Sequence, residues 1–329
     1  MRLPPIRPRA RTDLPRKGRS LAGSRYVWWD EALTDDHDLP AGWQDALSAP
    51  RVILPGLPTD RPLVMGIVNV TPDSFSDGGT AFSIDAAAAR AGAMVEEGAD
   101  ILDIGGESTR PGAQDVPAAV EIARVEPVIR ALRAAGLRTP ISIDTRKAAV
   151  AEAALQAGAD IVNDVSALGY DPDLARVVAD SGAALCLMHA QGTPQNMQAD
   201  PRYDDVLTEV FDYLARRMDH AVAAGIDPAR LITDPGIGFG KTQEHNLTLL
   251  RGLSLFHALG APILLGASRK RFIGTITGVA QADRRLSGSL AVALTAAAQG
   301  AQILRVHDVA ETVQALSMWR ALTFEGESE

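Results

Sequence analysis

The chain of 329 residues has one cysteine, Cys186, so no disulfide can form within it. It has no CxxC or HExxH pattern, which removes the usual sequence signs of a zinc site. Long apolar runs are missing as well. The longest mostly apolar stretch, Leu290 to Ala298, is broken by Thr295 and falls far short of the roughly 20 residues of a membrane span. Positive charge is scarce over most of the chain. Eight of the 32 Lys and Arg residues, but one of the 41 Asp and Glu residues, fall in positions 1–25, leaving a strongly acidic remainder. Such a body does not coat nucleic acid through bulk charge, so any bound anion must be held by a local cationic cluster. No membrane or nucleic-acid partner is expected, and a reducing cytoplasm is the expected location.

What is present is a soluble-type composition, 46% hydrophobic and 22% charged, enough to bury a large core. The Pro- and Arg-rich start predicts a basic, disordered tail over 1–25, within an irregular extension spanning 1–62. A transit peptide fits less well, because the prolines oppose an amphipathic helix. Three of the four tryptophans, Trp28, Trp29 and Trp43, lie in the rest of this extension.

From Leu63 the pattern is regular. Gly98, Gly158, Gly182, Gly260 and Gly300 each end a helix-forming stretch and precede a short apolar run; Gly136 and Gly225 do so with a longer link. A glycine that ends a helix in the left-handed region, followed by a buried parallel strand, gives this spacing. The predicted strands are Leu63–Asn69, Ile101–Ile104, Pro140–Asp144, Ile161–Asp164, Ala184–Met188, Leu231–Asp234, Pro262–Gly266 and Ile303–Val306. Helices are expected between them, among them Ile84–Glu97, Arg146–Ala157 and Val309–Leu322. Eight strands alternating with helices over 63–323 predict an α/β fold, a (β/α)8 TIM barrel, with a doubly wound open sheet as the alternative and 324–329 as a tail.

Each apolar run ends in polar residues that are costly to bury alone: Asn69, Asp103, Asp144, Asn163, His189, Asp234, Ser268 with Lys270, and Arg305 with His307. In a barrel these converge on the mouth at the carboxyl ends of the strands. Asp144, Asn163 and Asp234 suit a flat heterocycle with paired N–H donors, since a carboxylate accepts two parallel hydrogen bonds. Ser268–Arg271 and Arg305–His307 follow the last two strands, where barrels often bind phosphate; Arg269 and Arg271 also fit a solvated face. Two glycine-bearing loops, 71–79 and 105–112, each offer an apolar residue able to cover a ligand, Phe75 and Pro111. Gly238-Phe-Gly240-Lys241-Thr242 imitates the end of a phosphate-binding loop, but Pro235 occupies the position of the required first glycine.

Together Val64–Gly79, Asp103–Ala113, Ile143–Arg146, Asn163–Ser166, Met188–Gly192, Asp234–Lys241, Ser268–Lys270 and Arg305–Asp308 resemble the motifs of the dihydropteroate synthase family, in order and spacing, across essentially all of 63–323. The resemblance implies a (β/α)8 barrel that joins 4-aminobenzoate to a dihydropterin pyrophosphate, releases pyrophosphate, requires Mg2+ and is the target of sulfonamides. It implies Asn69 at the metal. It places Asp144, Asn163, Asp234 and Lys270 at the pterin with Asp103 nearby, and Thr109, Arg305 and His307 at the pyrophosphate. Phe75, Pro111, Phe239 and Ser268 would shape the aminobenzoate pocket with Lys270, and Arg110 would act from the second loop. Asp144, Lys270, Arg305 and His307 form the implied catalytic set, and a homodimer is expected by analogy. An aryl amine is a sufficient nucleophile at neutral pH, which agrees with the lack of a Ser-His-Asp or Cys-His arrangement. The long head, Ala190 and Arg271 depart from the family pattern. A pterin-binding methyltransferase or a non-catalytic pterin-binding paralogue are the competing readings.

Overall fold

Seven glycines set the rhythm of the chain. Gly98, Gly136, Gly158, Gly182, Gly225, Gly260 and Gly300 all adopt positive φ, between 69° and 113°, at the end of a helical segment. A residue with a Cβ is strained there, so the helix stops and the chain turns back into the sheet. The expectation drawn from spacing holds at each of them.

The computed structural model describes residues 1–34, 38–71, 80–108, 115–193 and 196–324. Three short strands come first, β1 (Arg7–Arg11), β2 (Arg19–Ser20) and β3 (Trp28–Leu33), then helix α1 (Trp43–Ser48). The barrel strands follow as β4 (Leu63–Asn69), β5 (Ile101–Gly105), β6 (Ile141–Asp144), β7 (Ile161–Asp164), β8 (Ala184–Met188), β9 (Leu231–Asp234), β10 (Leu264–Leu265) and β11 (Ile303–Val306). Between them run α2 (Thr80–Glu96), α3 (Ala118–Ala134), α4 (Ala148–Ala157), α5 (Leu174–Ser181), α6 (Val206–Ala223), α7 (Gln243–Arg251), α8 (Arg271–Thr277) and α9 (Leu286–Ala298), with α10 (Val309–Thr323) last.

The eight barrel strands pair in parallel in the order β10-β11-β4-β5-β6-β7-β8-β9. A parallel bridge between Thr233 and Ile263, with Thr233 N donating to Pro262 O at 2.9 Å, joins the two ends. The sheet is closed, and the open doubly wound alternative falls away. Among the described residues no helix is long and apolar enough to cross a membrane.

Strand alternation divides the barrel into two faces. Val64, Leu102, Ile143, Val162, Leu185 and Leu304 point outward into the core shared with the helices. Leu63, Met65, Ile101, Ile161, Cys186, Ile232, Leu264 and Ile303 form a separate interior cluster, sealed by Ile53 and Leu54 from the extension. The interior positions two or four residues further along are Asn69, Asp103, Asn163, Asp234 and Arg305. One parity therefore supplies an apolar floor and a polar mouth.

The extension differs from the expected disordered tail and irregular lead. β1 pairs antiparallel with β3, from Arg7 opposite Leu33 to Arg11 opposite Trp28, and β2 pairs with the other edge of β3. Leu3, Ile6, Leu21, Trp28 and Trp29 are buried, Leu3 N donates to Ala258 O at 2.7 Å, and Ser254 Oγ donates to Pro8 O at 2.8 Å. The arginines do not prevent this, because Arg2, Arg9, Arg11 and Arg19 meet Asp219, Glu31, Asp13 and Asp45 at the surface. Such exposed pairs add little stability. Burial of the apolar residues between them stabilises the extension more.

Candidate active site

At the mouth, β5, β6, β7 and β11 bring four polar side chains together. Asp103 Oδ2 accepts from Arg305 Nε at 2.6 Å and from Asn163 Nδ2 at 3.3 Å. Asp144 Oδ2 accepts from Arg305 Nη2 at 2.7 Å. The second oxygen of each carboxyl, Asp103 Oδ1 and Asp144 Oδ1, is buried without a hydrogen-bond partner among the described residues. A buried acceptor left in this state is costly, so both oxygens suit a donor brought by a ligand.

Burial drives the Asp144 carboxyl up to about 7; Arg305 pulls it down, and the nearby Asp103 pushes it further up. Burial also raises Asp234 to about 6, against the Gly236 N–H that it accepts at 2.7 Å and against Lys270 and Arg305. For Arg305 burial favours loss of the proton, but Asp103 and Asp144 more than offset it and hold the guanidinium above its ordinary range. A β-carbon on Gly266 would stand 3.7 Å from Arg305 Cδ and 3.8 Å from Asp234 Oδ2, which places Asp234 and Arg305 against the same backbone position.

The cationic side lies across a cleft of about 590 Å³ lined by Asn69, Asp144, Phe239, Lys270, Arg305 and His307. Lys270 Nζ sits 3.9 Å from the centre of the Phe239 ring. Ser268 Oγ lies 3.0 Å from His307 Nδ1 and accepts from His307 N at 3.3 Å, fixing the imidazole at the end of β11. Arg269, in the left-handed region at φ 60°, is ion-paired with Asp308 and so is not the solvated face that a basic run suggests; Arg271 is exposed.

Asn69, Asp103, Asp144, Asn163, Asp234, Ser268, Lys270, Arg305 and His307 thus gather at one end of the barrel, where their places at the strand ends put them, together with Phe239, which the family resemblance adds. Phe75, Thr109, Arg110 and Pro111 lie outside the described residues. His189 departs from the expected rim set. Its neighbour Leu187 belongs to the outer core and Cys186 to the inner one, so position 189 turns outward, where its ring meets Tyr213 edge-on at 4.8 Å. Two buried groups carry little mark in the sequence. Lys147 bridges Glu107, just after β5, at 3.0 Å and Glu121, on α3, at 2.6 Å, and Lys241 sits behind Phe239. The second shows in the sequence as the lysine of the rejected phosphate-loop pattern and the last residue of the Asp234–Lys241 motif, neither of which gives it a role.

Comparison with known proteins gives this geometry a family. The model of the pterin-binding enzymes matches residues 65–307. A dihydropteroate synthase of Neisseria meningitidis serogroup C is 51% identical over 266 residues, which cover 80% of this chain and 93% of the relative. The chain belongs to the dihydropteroate synthase family. A second member, from Escherichia coli K12, is 48% identical over 80% of this chain and 93% of its own length. Among solved structures of the family, Xanthomonas albilineans dihydropteroate synthase with 4-aminobenzoic acid superposes with a TM-score of 0.76 at 52% identity, covering 80% of this chain and 93% of that one. The same enzyme in complex with 7,8-dihydropteroate gives 0.74 at 49% identity, over 81% and 95%.

Proposed function

We propose that this protein is a transferase that condenses 4-aminobenzoate with (7,8-dihydropterin-6-yl)methyl diphosphate, giving dihydropteroate and diphosphate. The observation that carries the reading is the pair of buried carboxyls, Asp103 and Asp144, each bonded to Arg305 through one oxygen and leaving the other for a ligand's N–H groups. Asp144, Asn163, Asp234 and Lys270 bind the pterin, with Asp103 behind them. Ser268, Phe239 and Lys270 shape the aminobenzoate side, while Arg305 and His307 hold the diphosphate. Phe75, Thr109, Arg110 and Pro111 complete the site from the two glycine-bearing loops.

In the reaction the bond from the pterin methylene to the diphosphate oxygen breaks, and its electron pair leaves with the diphosphate. The aminobenzoate nitrogen supplies the new pair to the methylene and gives up a proton. Arg305 and His307 stabilise the charge that gathers on the leaving oxygens. The Asp144 carboxylate stabilises the positive charge that develops on the pterin.

Asn69 offers a single amide oxygen at the cleft, and no three Asp, Glu, His or Cys side chains among the described residues gather as a metal cage. That donor set fits Mg2+, which takes few protein ligands and fills its shell with water and substrate phosphates. Bound there, Mg2+ would neutralise the departing diphosphate.

The proposal includes a homodimer in a reducing cytoplasm, which sedimentation and cell fractionation test. The activity is tested by supplying both substrates with Mg2+ and measuring diphosphate release and dihydropteroate together. Absence of both products sinks the reading.

A further inference from the structure

The turn between β9 and α7 contains Gly236, Gly238 and Gly240, all at positive φ. It is wedged on two sides. A β-carbon would stand 1.8 Å from His189 O at Gly236, 2.2 Å from Gln191 O at Gly240 and 3.1 Å from Lys270 Cδ at Gly238. A glycine-rich turn has few side chains with which to fix its own shape, so its hold comes from neighbours. Gln198 Nε2 donates to Gly238 O at 2.9 Å, Tyr203 OH to Gly240 O at 2.8 Å, and Gly238 N to Asn246 Oδ1 at 2.7 Å. The carbonyl of Phe239 is gripped by Lys241.

Lys241 Nζ donates to Phe239 O at 3.0 Å and to His189 O at 3.4 Å, and lies 2.8 Å from His189 Nδ1. It is 2% exposed, yet all three partners are neutral. The cage satisfies either form of the amine. An ammonium donates three bonds, to two carbonyls and the bare imidazole nitrogen; a neutral amine donates two and accepts from an Nδ1–H tautomer. Burial, with Lys270 nearby, lowers Lys241 to about 7 against the pull of Asp234, and burial followed by Lys241 keeps His189 neutral. The staple therefore persists whichever form Lys241 takes. One end is the close of β8 and the other is the residue whose ring lies under Lys270.

We propose that Lys241, anchored on His189, is a positioning residue that sets Phe239 beneath Lys270 and so governs how the site accepts the aminobenzoate ring; this rests on the function proposed above. Lys241→Met keeps the stem and removes the hydrogen bonds. The expected result is a KM for 4-aminobenzoate raised about tenfold, the loss of roughly one hydrogen bond's worth of binding, with the KM for the pterin diphosphate changed less than about twofold. Equal rises in both constants, or none, overturn the proposal. If Lys241 acts through Phe239, Lys241→Met added to Phe239→Leu raises the aminobenzoate KM no further than Phe239→Leu alone, and additive losses count against it. Should Lys241→Met fail to fold, His189→Gln is measured instead, with a rise of about threefold expected in the aminobenzoate KM alone; no rise refutes the anchor. A wild-type protein with no turnover would defeat the proposed function and the aminobenzoate part of this inference with it, but not the positioning of Phe239 by Lys241. In that event the crystal structure of Lys241→Met, or of His189→Gln, decides it: Phe239 leaves Lys270 if the staple is real and stays in place if it is not.

Discussion

Arg305 and Asp144 meet at 2.7 Å across the barrel mouth although they stand 161 residues apart in the chain. The same guanidinium reaches Asp103 through its Nε at 2.6 Å, so one cation spans two buried carboxyls. It organises the acidic side of the site and, on the proposed reading, also faces the leaving diphosphate.

Asp144 gives a pH signature in stability. Its carboxyl titrates at 3.8 when unperturbed and is pushed up to about 7 in the fold, first by burial. A carboxyl that binds its proton more tightly when folded contributes stability in full below the unfolded value and loses it as pH rises through the folded one. Wild type should therefore lose stability relative to Asp144→Asn between pH 4 and pH 8. Urea midpoints of the two proteins across that range measure the difference, and an opposite slope would show that the Arg305 pair outweighs burial. In activity, Asp144→Ala should lower kcat/KM by roughly 10²–10³-fold, and wild-type kcat/KM should decline below about pH 7.

Lys270 lies over Phe239 at the cleft surface, outside the apolar core. Lys270→Ala should cost roughly 10²-fold or more in kcat/KM and less than about 1 kcal/mol in stability. Steady-state rates paired with thermal melts test both halves, and unchanged turnover would remove Lys270 from the site.

For the metal, chelation is expected to abolish turnover and leave the fold intact, since the barrel core contains no metal-holding cluster among its described residues. Asn69→Ala should raise the Mg2+ concentration for half-maximal rate about tenfold. Circular dichroism before and after chelation separates loss of catalysis from loss of structure.

The extension is a stability element at the end opposite the site. Ile53 is 3% exposed and seals the interior floor with Leu63, Met65 and Ile101. Ile53→Ala should cost about 2–5 kcal/mol through the cavity it leaves, with kcat unchanged well below the melting temperature. Denaturant titration gives the first quantity and initial rates the second.

Local signals make most of the barrel legible. Leu63–Asn69, Ile161–Asp164, Ala184–Met188, Leu231–Asp234 and Ile303–Val306 have the boundaries their apolar runs indicate, because a buried apolar run closed by a polar tip and, in all but the first, led in by a glycine stop is a near-neighbour pattern. The seventh strand narrows from the expected Pro262–Gly266 to Leu264–Leu265 with a single bridge at Ile263, as the closing segment pairs only briefly with β9. The head is ordered against expectation because composition counts its arginines and prolines but not the pairing of β1 with β3 that buries the apolar residues between them.

The order of strands, the glycine stops and the list of polar tips were fixed by sequence, since each depends on residues within a few positions of one another. Closure of the ring, the pairing of Arg305 with Asp103 and Asp144, and the cage of Lys241 and His189 were decided by tertiary structure. The side-chain contacts among these join residues 52 to 202 positions apart, and whether a side chain faces the mouth or the helices is set by strand parity within the closed sheet. His189 shows the difference: a polar tip like the others by its place in the chain, it is turned away from the mouth by one step of the pleat.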